Sequence, residues 1–528
     1  MKKNVLALSI TAALVGLGFA GGAQAIGLVN KANAAPIPVG TTNSSLRASQ
    51  DGVGQFLYVP YYSAQGANNT MINIVNTDTI NGKAVKVRFR GAGNSDDVFD
   101  FQVFLSPGDV WTASVTKNAA GLALLTTADN SCTKPAKSAV AGDHGINDEA
   151  FHTVRMNNFR TGDALANETR EGYVEIFNMA DIHSGTALYT AIKHVSSKPP
   201  CSGAAWTALD TDPADVAAAN TAGLYAPTTG LMANWIILNA ADGGAWSGAA
   251  PAINAVDANR VPVAGAIVYF PQTNAALGAT AVDLAKFTAD PWLIANPTYA
   301  MVYDLPDFSI PYTGTSGPTN QVTSLNSTIA TTLLANEFLT ASAINATTDW
   351  VLSMPTRRYA VAYDYFSAAT DKRVETVANV SYFTKAGNTT VIDKQICVTG
   401  TTTASWDQEE NTPLNPGASV IISPVLPGTV QSFLVCGEAS VLSFNHGDTA
   451  AAAGLITSAS GTLKATVARS SIENGYSAGW SYLTTPGLGA GLPILGYQAI
   501  RATGGANAAG FNYTFGATLP HRTNLVTK

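Results

Sequence analysis

Across residues 83–116 apolar and polar side chains alternate with a period of two, a pattern that a β-strand sorts onto opposite faces. Val85, Val87 and Phe89 interleave with Lys86, Arg88 and Arg90. After the polar loop GAGNSDD, Phe99, Phe101, Val103 and Leu105 interleave with Asp100, Gln102 and Phe104. Ser106-Pro107-Gly108-Asp109 supplies a turn, because Pro fixes φ at its second position and Gly accepts a positive φ at its third. A third run, 110–116, completes an antiparallel meander. Folding back about Asn94 sets Phe89 opposite Phe99, Val87 opposite Phe101 and Val85 opposite Val103. The other face then pairs Arg88 with Asp100 and Lys86 with Gln102. A slip of one residue would set charges against the apolar set, so the pattern selects its own register. Two faces of opposite character predict a sheet packed on one side and wet on the other, and nothing in it is catalytic.

The same punctuation recurs along the 528 residues, a length that calls for two or three domains. Strands are expected at 56–62, 71–76, 171–177, 231–238 and 261–270, and again from 350–354 to 511–517. Their spacing suits sandwiches and not βαβ units. The fold class read from this is all-β: two, or three, antiparallel Ig-like β-sandwich domains with long loop excursions and a few short helices. Alternation fails over about 117–170, which reads as a loop excursion. Asp212-Pro213 opens a helix with Asp212 as its N-cap, and 328–338 forms another. A shift to Pro, Gly, Thr and Ser over 306–320 divides an N-terminal domain, 51–315, from a C-terminal one, 316–528.

The first 25 residues have the layout of a secretory signal peptide. Lys2 and Lys3 lead an apolar stretch over 5–20, and Ala23-Gln24-Ala25 offers a small-x-small cleavage site. No later stretch reaches 18 apolar residues, so no transmembrane helix is expected in the mature chain. Residues 26–50 read as an extended N-terminal arm, with pairing to a neighbouring subunit's sheet edge as the sharper alternative. Only 12% of residues are charged and the net charge is −7, or −9 once Lys2 and Lys3 are removed. With no basic cluster to meet phosphates, nucleic acid is not an expected partner. Four cysteines in an exported chain read as two disulfides, and of three possible connectivities neighbours are favoured: Cys132 with Cys201 and Cys397 with Cys436.

Motifs that carry chemistry are sparse. Gly475-Tyr476-Ser477-Ala478-Gly479 matches a nucleophile elbow, yet a strand-like segment follows where the motif needs a helix. The six histidines, His144, His152, His183, His194, His446 and His521, show no metal spacing, and a site within 152–183 is the one place they offer. Asp96 and Asp97 with Asn94, and Asp210, Asp212 and Asp215, supply oxygens for a structural Ca2+, although neither set follows the twelve-residue calcium loop. The alternatives are a polar turn and a helix cap. Trp206, Trp235 and Trp246 with Tyr58, Tyr61 and Tyr62 are candidates for a sugar platform, set against core packing. No other cofactor is expected.

Several segments together resemble a group of exported, largely uncharacterised cell-surface or S-layer-like proteins of Gram-negative bacteria. They include FLYVPYYSA (56–64), INIVNTDT (72–79), DVFDFQVFLSPGDVWTA (97–113), REGYVEIF (170–177), ATTDWVLSMPTRRY (346–359) and GLPILGYQAI (491–500). The resemblance implies no catalytic residues, and it implies pairing of Cys397 with Cys436. The expectation is therefore a secreted, non-enzymatic structural protein of the cell surface. Its main partner is itself, in an S-layer-type lattice, with an outer cell-surface component as a second partner. A carbohydrate-binding or adhesive module, a surface filament subunit and a secreted hydrolase are the rival readings.

Overall fold

The computed structural model is predominantly β. It describes residues 45–523 apart from 139–144, 154–155, 157–159, 212, 214, 266, 268, 270–271, 273–324, 364, 366–367, 376–381, 412–430, 449–455, 457, 486–490 and 507–511. The expected signal peptide, most of the expected arm and the expected boundary at 306–320 thus lie outside the described residues.

The N-terminal half begins with β1 (Ser45–Ala48), β2 (Phe56–Ser63), β3 (Asn68–Asn76), β4 (Gly82–Gly91) and β5 (Asp97–Leu105). It continues with β6 (Val110–Lys117), β7 (Ala123–Thr126), β8 (Cys132–Lys134), β9 (Glu149–Ala150) and β10 (Glu171–Ile182). The last are β11 (Leu224–Tyr225), β12 (Leu231–Asn239), β13 (Gly244–Ala249) and β14 (Ala252–Val256). One sheet runs β1-β14-β2-β10-β4-β5-β8 with β11 beside β10, and the other runs β13-β12-β3-β6-β7-β9. The described end of the arm, β1, completes its own sheet by pairing with β14. The segment expected as a loop excursion instead contributes β7 and β9 to one sheet and β8 to the other. The reason is that its strands are too short to show a period.

The β4–β5 hairpin has the expected register, with Phe89 opposite Phe99, Val87 opposite Phe101 and Arg88 opposite Asp100. Alternation along β3 and β12 also means what it implies, since each buries every second residue. For β4 it does not: all ten residues are buried, Lys86, Arg88 and Arg90 included. The apolar face of this sheet meets the other sheet, where Phe101 and Trp111 lie 5.3 Å apart. The charged face, expected to be wet, is covered by the C-terminal half, as where Arg358 meets Glu175, and by Gln272, which accepts a hydrogen bond from Lys86 at 2.5 Å.

In the C-terminal half one sheet holds Thr389–Ile392, Gln395–Asp407, Ala478–Thr484, Leu333–Leu339 and Arg522–Thr523, with Gln431–Cys436 beside Gln395–Asp407. The second orders Arg469–Ile472, Ala439–Phe444, Thr347–Ser353, Leu495–Ala506 and Asn512–Pro520. The pair Ala439–Phe444 and Arg469–Ile472 is parallel and the others are antiparallel. Phe338 stacks on Phe444 at 5.2 Å to join the two layers. The helix expected over 328–338 is a strand from Leu333 on, with Leu334, Asn336 and Phe338 turned inward. The i, i+4 spacing of Leu334 and Phe338 also satisfies a period of two, and sheet pairing decides between them. The region 261–270 forms no named strand among its described residues. Asp215 caps the helix Val216–Thr221, accepting from the Ala218 amide at 2.7 Å, so the helix starts one turn later than the Asp212 cap implied.

Both expected disulfides form, Cys132 with Cys201 and Cys397 with Cys436, the second joining residues directly opposite on neighbouring strands. No helix among the described residues is long and apolar enough to cross a membrane.

His521 sits buried against Trp350, donating from Nε2 to the Val351 carbonyl at 3.0 Å while Nδ1 faces the Asn336 amide at 3.2 Å. Burial pushes its pKa down to about 4, so the folded state holds it neutral. That stabilisation is complete above the unfolded pKa near 6.5 and is lost as pH falls towards 4, by up to about 3 kcal/mol. Urea unfolding of the parent and His521→Asn at pH 7 and pH 4.5 checks this: the gap between them should narrow at the lower pH.

Candidate functional site: a buried charged junction

A dense gathering of titratable side chains lies where the two halves meet. β10 and β4 present Tyr173, Glu175 and Arg90 on one face of their sheet, aligned by a register that puts Tyr173 opposite Arg90 and Glu175 opposite Arg88. From the other half comes the turn after Thr347–Ser353, carrying Arg357, Arg358 and Tyr359. Arg358 donates to Glu175 Oε1 at 2.7 Å and to the Pro355 carbonyl at 2.8 Å, and also bonds the hydroxyls of Tyr173 and Tyr359. Arg90 Nε approaches Glu175 Oε2 at 3.4 Å. Glu438 pairs with Arg357 at 3.2 Å and accepts from the Tyr173 hydroxyl at 3.2 Å and from Ser95. The side chains of Arg90, Glu175, Arg358 and Glu438 have 0% exposure. Burial drives the Tyr173 and Tyr58 phenols well above their ordinary pKa, so both stay protonated, and Tyr173 donates to Glu438.

Three neighbouring contacts extend the junction. Glu171 Oε1 accepts from Gln65 at 2.7 Å and from the backbone and hydroxyl of Thr466 at 2.6 and 3.0 Å. Arg160 bridges Glu168 in its own half and Asp393 in the other. Burial raises the Glu168 carboxyl to about 7, although Arg160 opposes the shift. The β4–β5 loop inserts across the gap: Asn94 donates to the Lys394 carbonyl at 2.8 Å, and Asp96 accepts from the Tyr365 hydroxyl at 2.9 Å. Gly437 admits a close approach here, since a Cβ on it would lie 2.4 Å from the Ala92 carbonyl oxygen and its φ is +76°. The next residue, Glu438, donates its amide to that same oxygen at 2.7 Å.

A cluster sealed from solvent receives no substrate; its chemistry is that of a weld. The desolvation of these ions is offset by charged partners or by neutral donors and acceptors, although Arg357 Nε and Nη2 and Glu438 Oε1 make no hydrogen bond.

The residues singled out in the sequence are dispersed. Asp96 serves the loop contact, Asp97 lies opposite Arg90, Asp210 pairs with Lys134 at 2.6 Å and Asp215 caps a helix. Asp212 and His144 lie outside the described residues. Among the described residues no group of three His, Cys, Asp or Glu is placed to hold a metal ion. His152 pairs with Glu149 at 3.5 Å, whereas His183 stacks on Tyr225 at 3.8 Å, so the two serve different neighbourhoods. Ser477 leads straight into the strand Ala478–Thr484, without the helix that an elbow requires. Trp235, Trp246, Tyr58, Tyr61 and Tyr62 are buried, and Trp206 is half-buried beneath Lys134, so these rings are core and not a platform. Among the described residues Phe515 and Trp480 are exposed rings, and Trp480 sits with the half-buried Trp406 and Tyr482 in a group that sequence reading passed over. The signal was present in the alternation of GWSYLT across 479–484.

Fold and junction define a disulfide-bonded, predominantly antiparallel β protein whose two halves are locked through buried charge. No family model matches the chain, no curated protein matches it, and no solved structure matches it.

Proposed function

We propose that this chain is an exported, non-enzymatic structural protein of the Gram-negative cell surface, built from Ig-like sandwich domains. In this reading copies assemble into an S-layer-type lattice, held by an outer cell-surface component. The observation that carries it is the sealed junction: the strongest constellation of ionisable groups is spent on fixing one half against the other. A lattice subunit needs that rigidity, because positional order over many repeats fails if each subunit flexes internally. The two disulfides act in the same direction, and a charge-poor exterior suits many modest lateral contacts without steep salt dependence.

The test is assembly of the mature protein. Sedimentation and negative-stain electron microscopy at rising concentration, with and without divalent ions, should show ordered sheets, and intact cells should carry the same repeat. A protein that stays monomeric throughout, on cells with no regular array, would end this reading.

A further inference from the structure

We propose that the outer face of the C-terminal sheet formed by Gln395–Asp407, Ala478–Thr484, Leu333–Leu339 and Arg522–Thr523 binds an uncharged polysaccharide chain. Trp406 and Trp480 stack at 4.5 Å with planes 14° apart, and Tyr482 lies 5.5 Å from Trp406. The stack fixes the rings before any ligand arrives, which lowers the ordering cost of binding. It still leaves Trp480 44% exposed. Strand register carries the face outward from the rings. Glu337 lies opposite Trp480 and Ala335 opposite Tyr482, and Arg522 lies opposite Ala335. Glu337 and Arg522 are both exposed. Four strands at about 4.8 Å spacing give a platform about 14 Å across, which suits several sugar units and not one.

The chemistry of the face selects the ligand. A sugar ring offers an apolar face of C–H groups to aromatic carbon and hydroxyls at its rim. Here Trp480 and Tyr482 provide the first surface, and Glu337 and Arg522 provide an acceptor and a donor beside it. Ala335, with its small side chain, keeps the row beside Tyr482 flat. An uncharged hydroxyl-bearing chain can use both the carboxylate and the guanidinium, whereas the guanidinium opposes a polycation and the carboxylate, with the exposed Glu409 and Glu410 beyond Trp406, opposes a polyanion. The site goes beyond the lattice reading and is separable from it, since array formation does not require the ligand.

The experiment is a titration of the full mature chain with cellohexaose, N-acetylchitohexaose, mannohexaose and maltohexaose, read by tryptophan emission and calorimetry. At least one hexasaccharide should bind. Its affinity should fall tenfold or more in Trp480→Ala and at least threefold in Glu337→Gln and Arg522→Gln. The last two replace exposed side chains and should leave the urea midpoint unchanged, which keeps the test independent of folding. Binding by none of the four, or equal binding by parent and variants, overturns the proposal. So does tighter binding of polygalacturonate or chitosan, or a self-association or array that disappears in Trp480→Ala, which would mark the face as a contact between copies.

Discussion

Replacing Arg358 with Ala is expected to lower the free energy of unfolding by about 3–5 kcal/mol, among the largest effects available to one substitution in this chain. The side chain is fully buried and its guanidinium bonds Glu175, Tyr173, Tyr359 and the Pro355 carbonyl. Truncation strands Glu175 with only the longer contact to Arg90, 3.4 Å away. The cost arises from that stranded carboxylate more than from the lost attraction, and a control separates the two. Glu175→Leu combined with Arg358→Leu removes both charges and should cost less than Arg358→Ala alone. Arg358→Lys should not rescue, because an ammonium cannot reach four acceptors arrayed around a planar fork. Urea unfolding of the parent should show one transition, and Arg358→Ala should separate the halves into two. A loss below about 1 kcal/mol, with a single transition kept, would show that the junction does not hold the halves together.

Removing the second disulfide as Cys397→Ser with Cys436→Ser should cost about 4 kcal/mol, the chain entropy released by opening a loop whose ends are 39 residues apart. The pair Cys132→Ser with Cys201→Ser, 69 residues apart, should cost a similar amount on the same grounds. The two differ in what they touch. Cys436 directly precedes Gly437, which packs against the Ala92 carbonyl, and Glu438, whose amide donates to that carbonyl across the junction and whose carboxylate pairs with Arg357 in its own half. Loss of Cys397–Cys436 should therefore combine non-additively with Arg358→Ala, whereas loss of Cys132–Cys201 should add to it. Denaturation of Arg358→Ala, the two disulfide variants and their two combinations with Arg358→Ala, under non-reducing conditions, decides the matter. Additivity in both cases would mean that Gly437 and Glu438 hold their place without the disulfide.

The parts of the fold legible in the sequence were those set by neighbours in the chain. The β4–β5 register followed from alternation and one turn, and residue after residue pairs as the pattern required. The cysteine pairing followed from proximity in the chain. The parts that were not legible depend on what arrives from far away. Arg88 and Arg90 look like a solvated face until Arg358, 183 residues beyond Glu175, closes over that sheet. The loop around Asn94 and Asp96 has the composition of an exposed turn or a calcium ligand set, yet it bonds Lys394 and Tyr365 about 300 and 269 residues on. Trp235 and Trp406 are indistinguishable as residue types, and only the layer order makes one core and the other surface.

By itself, then, the sequence determined the strand-rich class, the local register and the two cross-links. Each of these is decided by side-chain period or by a covalent bond formed between the nearest thiols. Tertiary structure alone decided which faces are dry, because burial of a charge is set by whether a partner reaches it. A pattern of alternation encodes two faces and carries no information about what will cover either one.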